Sequence, residues 1–359
     1  MIASEDYPNL DFLRSCAVLF VCGSHLIQFF GVSYFWGGRL SVERMGLWGV
    51  MIFFVHTCLV LMLSLERQKG LKDGRSLFPT FMIRRCFRIY PLSILVVGVV
   101  SVFHLPLATL TTGSGFLAAA PTPTHWTIFC NVALIQNLAH RGSILGPLWS
   151  LPLEIQMYLL LPGIFLLTMP PRAVVRIGVL WFLAFVLAAT VLRRHLEIND
   201  FVLFVPCFLP GVIAYRLLAK KRLQLPAFLW PLAIAGLTIF TIFEAKEHWL
   251  KYWMGTLILG LAIPIFSQLS NRWLVEASRI IARYSYGIYL THFFSIWLAF
   301  QHLSRLLMPA KLAVFLVSFV GLPVLLYHSV EQPGIRLGKK LADQLGKQSY
   351  QPSVAIAHS

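Results

Sequence analysis

The sequence predicts an all-α, polytopic membrane bundle of about ten transmembrane helices with both termini in the cytoplasm. Three observations carry this. Apolar residues make up 58% of the chain and charged residues only 12%, against roughly a quarter charged in an ordinary soluble domain. The mean hydropathy of +0.74 exceeds what a soluble core absorbs, whereas a bilayer takes up about 20 apolar residues with each crossing helix. Lysine and arginine gather in short clusters between the apolar runs, as the positive-inside rule requires.

The elements follow in order. The first apolar run, 10–31, comes after Glu5 and Asp6 instead of a basic leader, and no small-residue cleavage site is evident. It reads as a retained helix, not a signal peptide. The second run, 45–65, ends in the basic stretch 66–89, and the third, 90–110, opens at Pro91. Residues 118–138 leave room for a half-helix. Further spans are expected over 149–169, 174–193 and 201–219. The next two, 228–244 and 252–269, are split by "EAKEHWLK", and the last two lie over 284–304 and 311–330. "HSVEQPGIRLGKK", 328–340, reads as a helix end at Glu331 and Pro333. One membrane domain, 1–340, is thus followed by a cytoplasmic basic tail, 341–359, a short helix running into a disordered end.

With the N-terminus inside, the cytoplasmic segments are 66–89, 170–176, 216–222, 272–283 and the tail, and they hold the larger share of Lys and Arg. The net charge of +16 is spread over these clusters with no continuous basic domain, so nucleic acid is excluded as a partner and the lipid bilayer is expected instead. The six cysteines form no C-x-x-C or zinc spacing and read as small buried hydrophobes. No metal is expected.

Some polar residues are out of place in lipid. Arg14 and His25 stand eleven positions apart in the first run, which is about three helical turns plus roughly 20°, on one face and about 16 Å apart. Ionisable groups within a span usually face a polar cavity and mark a functional path. The plain reading is a snorkelling arginine and a histidine bonded to a neighbouring helix. In "FMIRRCFRIYPL", Arg85 and Arg88 at i, i+3 share a face; they form either a phosphate-binding fork or a cytoplasmic anchor. In "GPLWSLPLEIQMYLLLP", Glu154 lies inside an apolar run beside Gln156 and Tyr158. It must be paired or wet, and a stapling role between helices stands beside a functional one. "RYSYGIYLTHFF" puts His292 in another span, where a packing or hydrogen-bonding role stands beside that of a ligand. His56, His104 and His328 read as structural.

Taken together, "LDFLRSCAVLFVCGSHL" with Arg-x10-His, "RRCFRIYPL", "LWSLPLEIQMYLLLP", "SYGIYLTH" and "VEQP" resemble the acyltransferase-3 family of integral membrane O-acyltransferases, over residues 8 to 340. Two positions depart from the family pattern: Ile155 follows Glu154 where a second acidic residue is common, and Ser15 stands where glycine is common. The resemblance implies transfer of an acyl group, usually acetyl, from cytoplasmic acyl-CoA (acetyl-CoA first) to a hydroxyl-bearing acceptor. That acceptor would be a glycan such as a surface polysaccharide, exopolysaccharide or lipid-linked precursor, or else a small natural product such as a macrolide. It implies a bacterial inner-membrane location. It points to His25 as the catalytic histidine, Arg14 as its partner in the donor channel, Arg85 and Arg88 as CoA phosphate ligands, and Glu154 as part of the acceptor-side site or the orienter of the imidazole. Tyr158, Trp149 and His292 are carried as acceptor-side or structural residues.

The rival class is a proton-coupled transporter or flippase of a glycan precursor, with Arg14, His25 and Glu154 as its relay. Paired Gly/Pro-broken helices and an inverted repeat, which would favour it, are not visible in the sequence.

Overall fold

The computed structural model describes residues 7–69, 74–111, 116–119, 122–169, 172–196, 199–218, 224–243 and 248–348. The acidic start at Glu5 and Asp6, most of the basic cluster 216–222 and the end of the tail lie outside the described residues.

The fold is all-α. Helix α1 (Pro8–Phe29) starts with a proline in its first turn and Asp11 near its positive end. A two-residue hairpin, β1 (Tyr34–Phe35) with β2 (Leu40–Ser41), leads into α2 (Val42–Lys69). The positive φ of Trp36, Gly37 and Gly38 closes this turn. Helix α3 (Gly74–Val102) is followed by a second hairpin, β3 (Thr109–Thr111) with β4 (Phe116–Ala118), and by α4 (His125–Val132). Thr124 caps α4 by accepting the Thr127 N–H. A 3₁₀ turn, Gly146–Ser150, feeds α5 (Leu151–Leu167). Then come α6 (Ala173–Arg193), α7 (Phe201–Leu218), α8 (Leu229–Ile242) and α9 (His248–Ala262). Helix α10 (Arg272–Ile296), capped by Asn271, ends in a π-helical segment, Trp297–His302. Helix α11 (Met308–Leu326) passes through a second π segment, Tyr327–Glu331, into α12 (Gln332–Gln348).

Each of the ten expected apolar segments coincides with a helix. Among the described residues, seven helices are long and apolar enough to cross a membrane. Helices α8 and α9, of 14 and 15 residues, reach only about 21–23 Å, short of a hydrocarbon core of about 30 Å. Helix α10 is long enough but carries Arg272, Glu276, Arg279 and Arg283 in its first half. Two boundaries differ from expectation. The third helix begins at Gly74, well before 90, so the arginine cluster is helical. The stretch 328–340 does not end a helix: the chain stays helical through the π segment and α12 carries it to Gln348.

Burial separates centre from rim. Of the α2 span, 72% is buried, against 22% for α6 and 6% for Met308–Leu345. Helix α2 is therefore the central post, with α1 and α7 packed closely on it and α10 packed on α1, while α6 and α11 show apolar side chains outward. Close approach is bought by glycine. A Cβ on Gly49 would lie 2.6 Å from the Ala17 carbonyl oxygen of α1, and one on Gly211 of α7 would strike the Val55 carbonyl of α2. Prolines inside spans free carbonyls that need another partner. Pro210 leaves the Pro206 carbonyl unbonded, and the Trp181 Nε1–H donates to it at 2.9 Å. Pro91 likewise frees the Phe87 carbonyl, against which Gly334 of α12 is packed.

Candidate active site

Helices α1, α2, α3, α5 and α10 line a cavity that is partly open at its mouth. Arg14, Arg85, Arg88, Glu154 and Tyr158, each singled out in the sequence, line it together with His56, Thr57, Ser150, Ser285, Tyr286 and Tyr289. The i, i+3 spacing of Arg85 and Arg88 delivers both to this wall from α3. Glu154, expected on the acceptor side, shares the cavity with the arginines.

Polar contacts fix these groups. Arg14 Nε donates to Ser285 Oγ at 2.6 Å, and that hydroxyl donates to the Ala282 carbonyl at 2.8 Å. No other hydrogen bond of the Arg14 guanidinium is formed among the described residues. Arg85 stacks over the Phe81 ring at 5.9 Å, and its buried Nε has no partner among them. Arg88 faces Glu331 at 3.3 Å; the carboxylate is fully buried and Arg88 26% exposed. The Glu331 oxygens accept no aligned hydrogen bond, so the contact is an ion pair only. Glu154 accepts from Tyr158 at 3.0 Å and from Thr57 at 3.4 Å. The cavity lining thus holds three guanidiniums and one carboxylate, Glu154, with Glu331 behind Arg88, leaving an excess of positive charge. Arg84, next in the cluster, pairs with Asp343 of α12 at 2.8 Å.

Arg14 and His25 both turn to α10, as their shared face requires. His25 does not line the cavity. Its Nδ1 lies 2.9 Å from His292 Nε2, the rings stack at 5.1 Å, and Phe293 meets His25 edge-on at 4.8 Å. His292 Nδ1 lies 2.7 Å from the Tyr289 carbonyl oxygen. The Tyr289 hydroxyl, in the cavity wall, is 2.7 Å from Ser150 Oγ. The histidine pair therefore stands outside the cavity lining, one helical turn along α10 from Tyr289. Trp149 lies outside both groups and packs on Phe204 at 5.5 Å. Among the described residues, no set of three His, Cys, Asp or Glu side chains is gathered closely enough to hold a metal ion.

Sequence reasoning missed three participants. His56, taken as structural, is 5% exposed and lines the cavity; its signal was the polar pair it makes with Thr57 inside an otherwise apolar run. Ser285 sits two turns before His292 on one face of α10, so this one helix meets both Arg14 and His25. Glu331 was read as part of a helix end, and only the fold shows it against Arg88.

The sequence model of one protein family, described as an acyltransferase domain, matches residues 7–328. A curated relative is OatA, a peptidoglycan O-acetyltransferase of Listeria monocytogenes serovar 1/2a (strain ATCC BAA-679 / EGD-e). It is 26% identical over 320 residues, which cover 80% of this chain and 49% of that protein. The chain thus spans about half the length of this relative. No solved structure matches the chain.

Proposed function

The chain belongs to the acyltransferase-3 family, and from that premise we propose that it is a membrane O-acyltransferase that moves an acyl group, acetyl first, from cytoplasmic acyl-CoA to a glycan hydroxyl. Both termini lie in the cytoplasm of a bacterial inner membrane in this reading, so the arginine end of the cavity opens to the compartment where coenzyme A is kept.

The observation that carries the proposal is the unbalanced charge of the cavity. Arg14 and Arg85 present guanidinium nitrogens with no protein partner among the described residues, and such groups suit bidentate contact with phosphate. The diphosphate of the donor lies against Arg85 and Arg88, and its narrow pantetheine arm runs past Arg14 toward α10. Reaching His25 requires the Tyr289–Ser150 hydrogen bond to open. His25 then takes the proton of the acceptor hydroxyl as that oxygen attacks the thioester carbonyl carbon. A C–O bond forms, the C–S bond breaks, and the thiolate leaves toward the guanidiniums. A glycan acceptor is favoured because the relative that covers most of the chain is named for peptidoglycan.

The test uses purified protein in nanodiscs with acetyl-labelled acetyl-CoA and a soluble muropeptide. Wild type should transfer label, and His25→Ala should abolish transfer while its expression and membrane insertion persist. Normal transfer by His25→Ala removes the assignment of the base. Wild-type protein that neither transfers nor hydrolyses the acetyl group removes the donor.

A further inference from the structure

We propose that His292 is a positioning residue that locks His25 in the tautomer whose Nε2 is free to accept a proton. The inference rests on the reading of His25 as the base, and it assigns the role of third member to a histidine and a backbone carbonyl, not to the buried carboxylate.

The partners determine where the protons sit. The Tyr289 carbonyl, 2.7 Å from His292 Nδ1, is an acceptor only, so Nδ1 of His292 carries a hydrogen and donates it. A neutral imidazole has one N–H, which leaves His292 Nε2 as an acceptor. The 2.9 Å contact with His25 must then be donated by His25 Nδ1–H, and His25 Nε2 holds a lone pair. The opposite arrangement would set a ring lone pair against a carbonyl lone pair at a residue only 1% exposed. A buried carbonyl left facing another acceptor keeps its full desolvation penalty, which disfavours that arrangement. The doubly protonated alternative is disfavoured by surroundings. Among the described residues neither ring has a carboxylate within ion-pair distance, and the apolar ring of Phe293 makes a T-shaped contact with each, at 4.8 and 5.0 Å.

Glu154 is not the orienter. Its oxygens are engaged by Tyr158 and Thr57, and it makes no contact with either histidine. The chain of donors therefore runs His25 Nδ1–H to His292 Nε2, then His292 Nδ1–H to the Tyr289 carbonyl. When His25 Nε2 gains a proton, the new cation is shared toward a fixed acceptor without any group having to rotate. Tyr289 also joins this line to the cavity, since its hydroxyl closes the wall with Ser150.

Two measurements on the full chain in nanodiscs test this. Nitrogen-15 spectra of histidine-labelled protein, with His25 assigned by its loss in His25→Ala, should show Nδ1 protonated and Nε2 bare at neutral pH. A His25 that carries its hydrogen on Nε2 overturns the inference whatever the activity. The second is kinetic. His292→Asn places an amide where Nδ1 stood and keeps the bond to Tyr289, but it does not reach His25. His292→Gln places an amide oxygen where Nε2 stood and can accept from His25. With acetyl-CoA and the muropeptide, His292→Asn should lower kcat on the order of 100-fold, and His292→Gln should stay within about tenfold of wild type. KM for acetyl-CoA should stay put in both. A role confined to the Nδ1 bond with the Tyr289 carbonyl predicts the reverse order, with Asn the better substitute, and that order refutes the inference. If His25→Ala is dead while both His292 variants match wild type, the positioning role fails and the base assignment survives. If His25→Ala is active, the base assignment itself fails.

Discussion

Arg88 has two jobs in this structure, and they can be separated. It is the ion-pair partner of Glu331, which is fully buried, and it lines the cavity. Arg88→Gln strands a carboxylate with no other partner of opposite charge in contact. Breaking a buried pair from one side typically costs about 3–5 kcal/mol. Neutralising an ordinary carboxyl at pH 7 costs about 3.7 kcal/mol, which caps the loss, so about 3–4 kcal/mol is expected. Glu331→Gln is milder, about 1 kcal/mol, because Arg88 retains 26% exposure and access to the cavity. In the double variant the stranded charge is gone, and stability should return to within about 1 kcal/mol of wild type. Affinity for the donor should not return. Loss of one charge-assisted contact to phosphate is worth about 1.5–3 kcal/mol, so KM for acetyl-CoA should rise at least tenfold in both Arg88→Gln and the double variant. Unfolding followed by tryptophan fluorescence in detergent gives the first quantity and initial rates give the second. Wild-type stability of Arg88→Gln alone would show that Glu331 is held by something else. Recovery of KM in the double variant would return Arg88 to a purely structural role.

Two other outcomes follow from the same geometry. Gly211→Ala should destabilise the protein by about 1–3 kcal/mol, because its Cβ would meet backbone atoms of Val55 and Leu59 and force α7 from α2, whereas Gly98→Ala, with nothing within 4 Å, should be neutral or stabilising by up to about 1 kcal/mol; equal unfolding midpoints would contradict the close packing. Glu154→Gln keeps an oxygen for Tyr158 and Thr57 but removes a negative charge beside the arginines, so KM for acetyl-CoA should fall about two- to fivefold, and a rise would make the carboxylate a donor ligand.

Much of this site is legible in one dimension because helical spacing survives folding. Eleven positions put Arg14 and His25 on one face, and both reach α10 from it. Three positions put Arg85 and Arg88 on one wall. Glu154 stood out because a carboxylate inside an apolar run needs a partner. What stayed hidden is what each residue meets, since partners lie on other helices at separations the sequence does not encode: Ser285 for Arg14, His292 for His25, Glu331 for Arg88. The start of α3 was misplaced for a related reason. The three arginines of "RRCFR" look like a cytoplasmic loop until Asp343 and Glu331 are seen to neutralise part of their charge within a helix. Helices α8 and α9 show the limit of hydropathy alone, for their apolar runs include loop residues that the backbone leaves unwound.

The π segment that carries the chain from α11 into α12 has a practical corollary for where the functional unit stops. Glu331, Gly334, Gly338 and Asp343 all lie past α11, and all of them meet α3: the acids on Arg88 and Arg84, the glycines on Phe87. A polypeptide shortened just after Leu326 would retain every other wall of the chamber yet leave two guanidiniums uncompensated and one face of α3 bare. The smallest piece that keeps the arginine wall of the cavity compensated and packed therefore runs at least to Asp343.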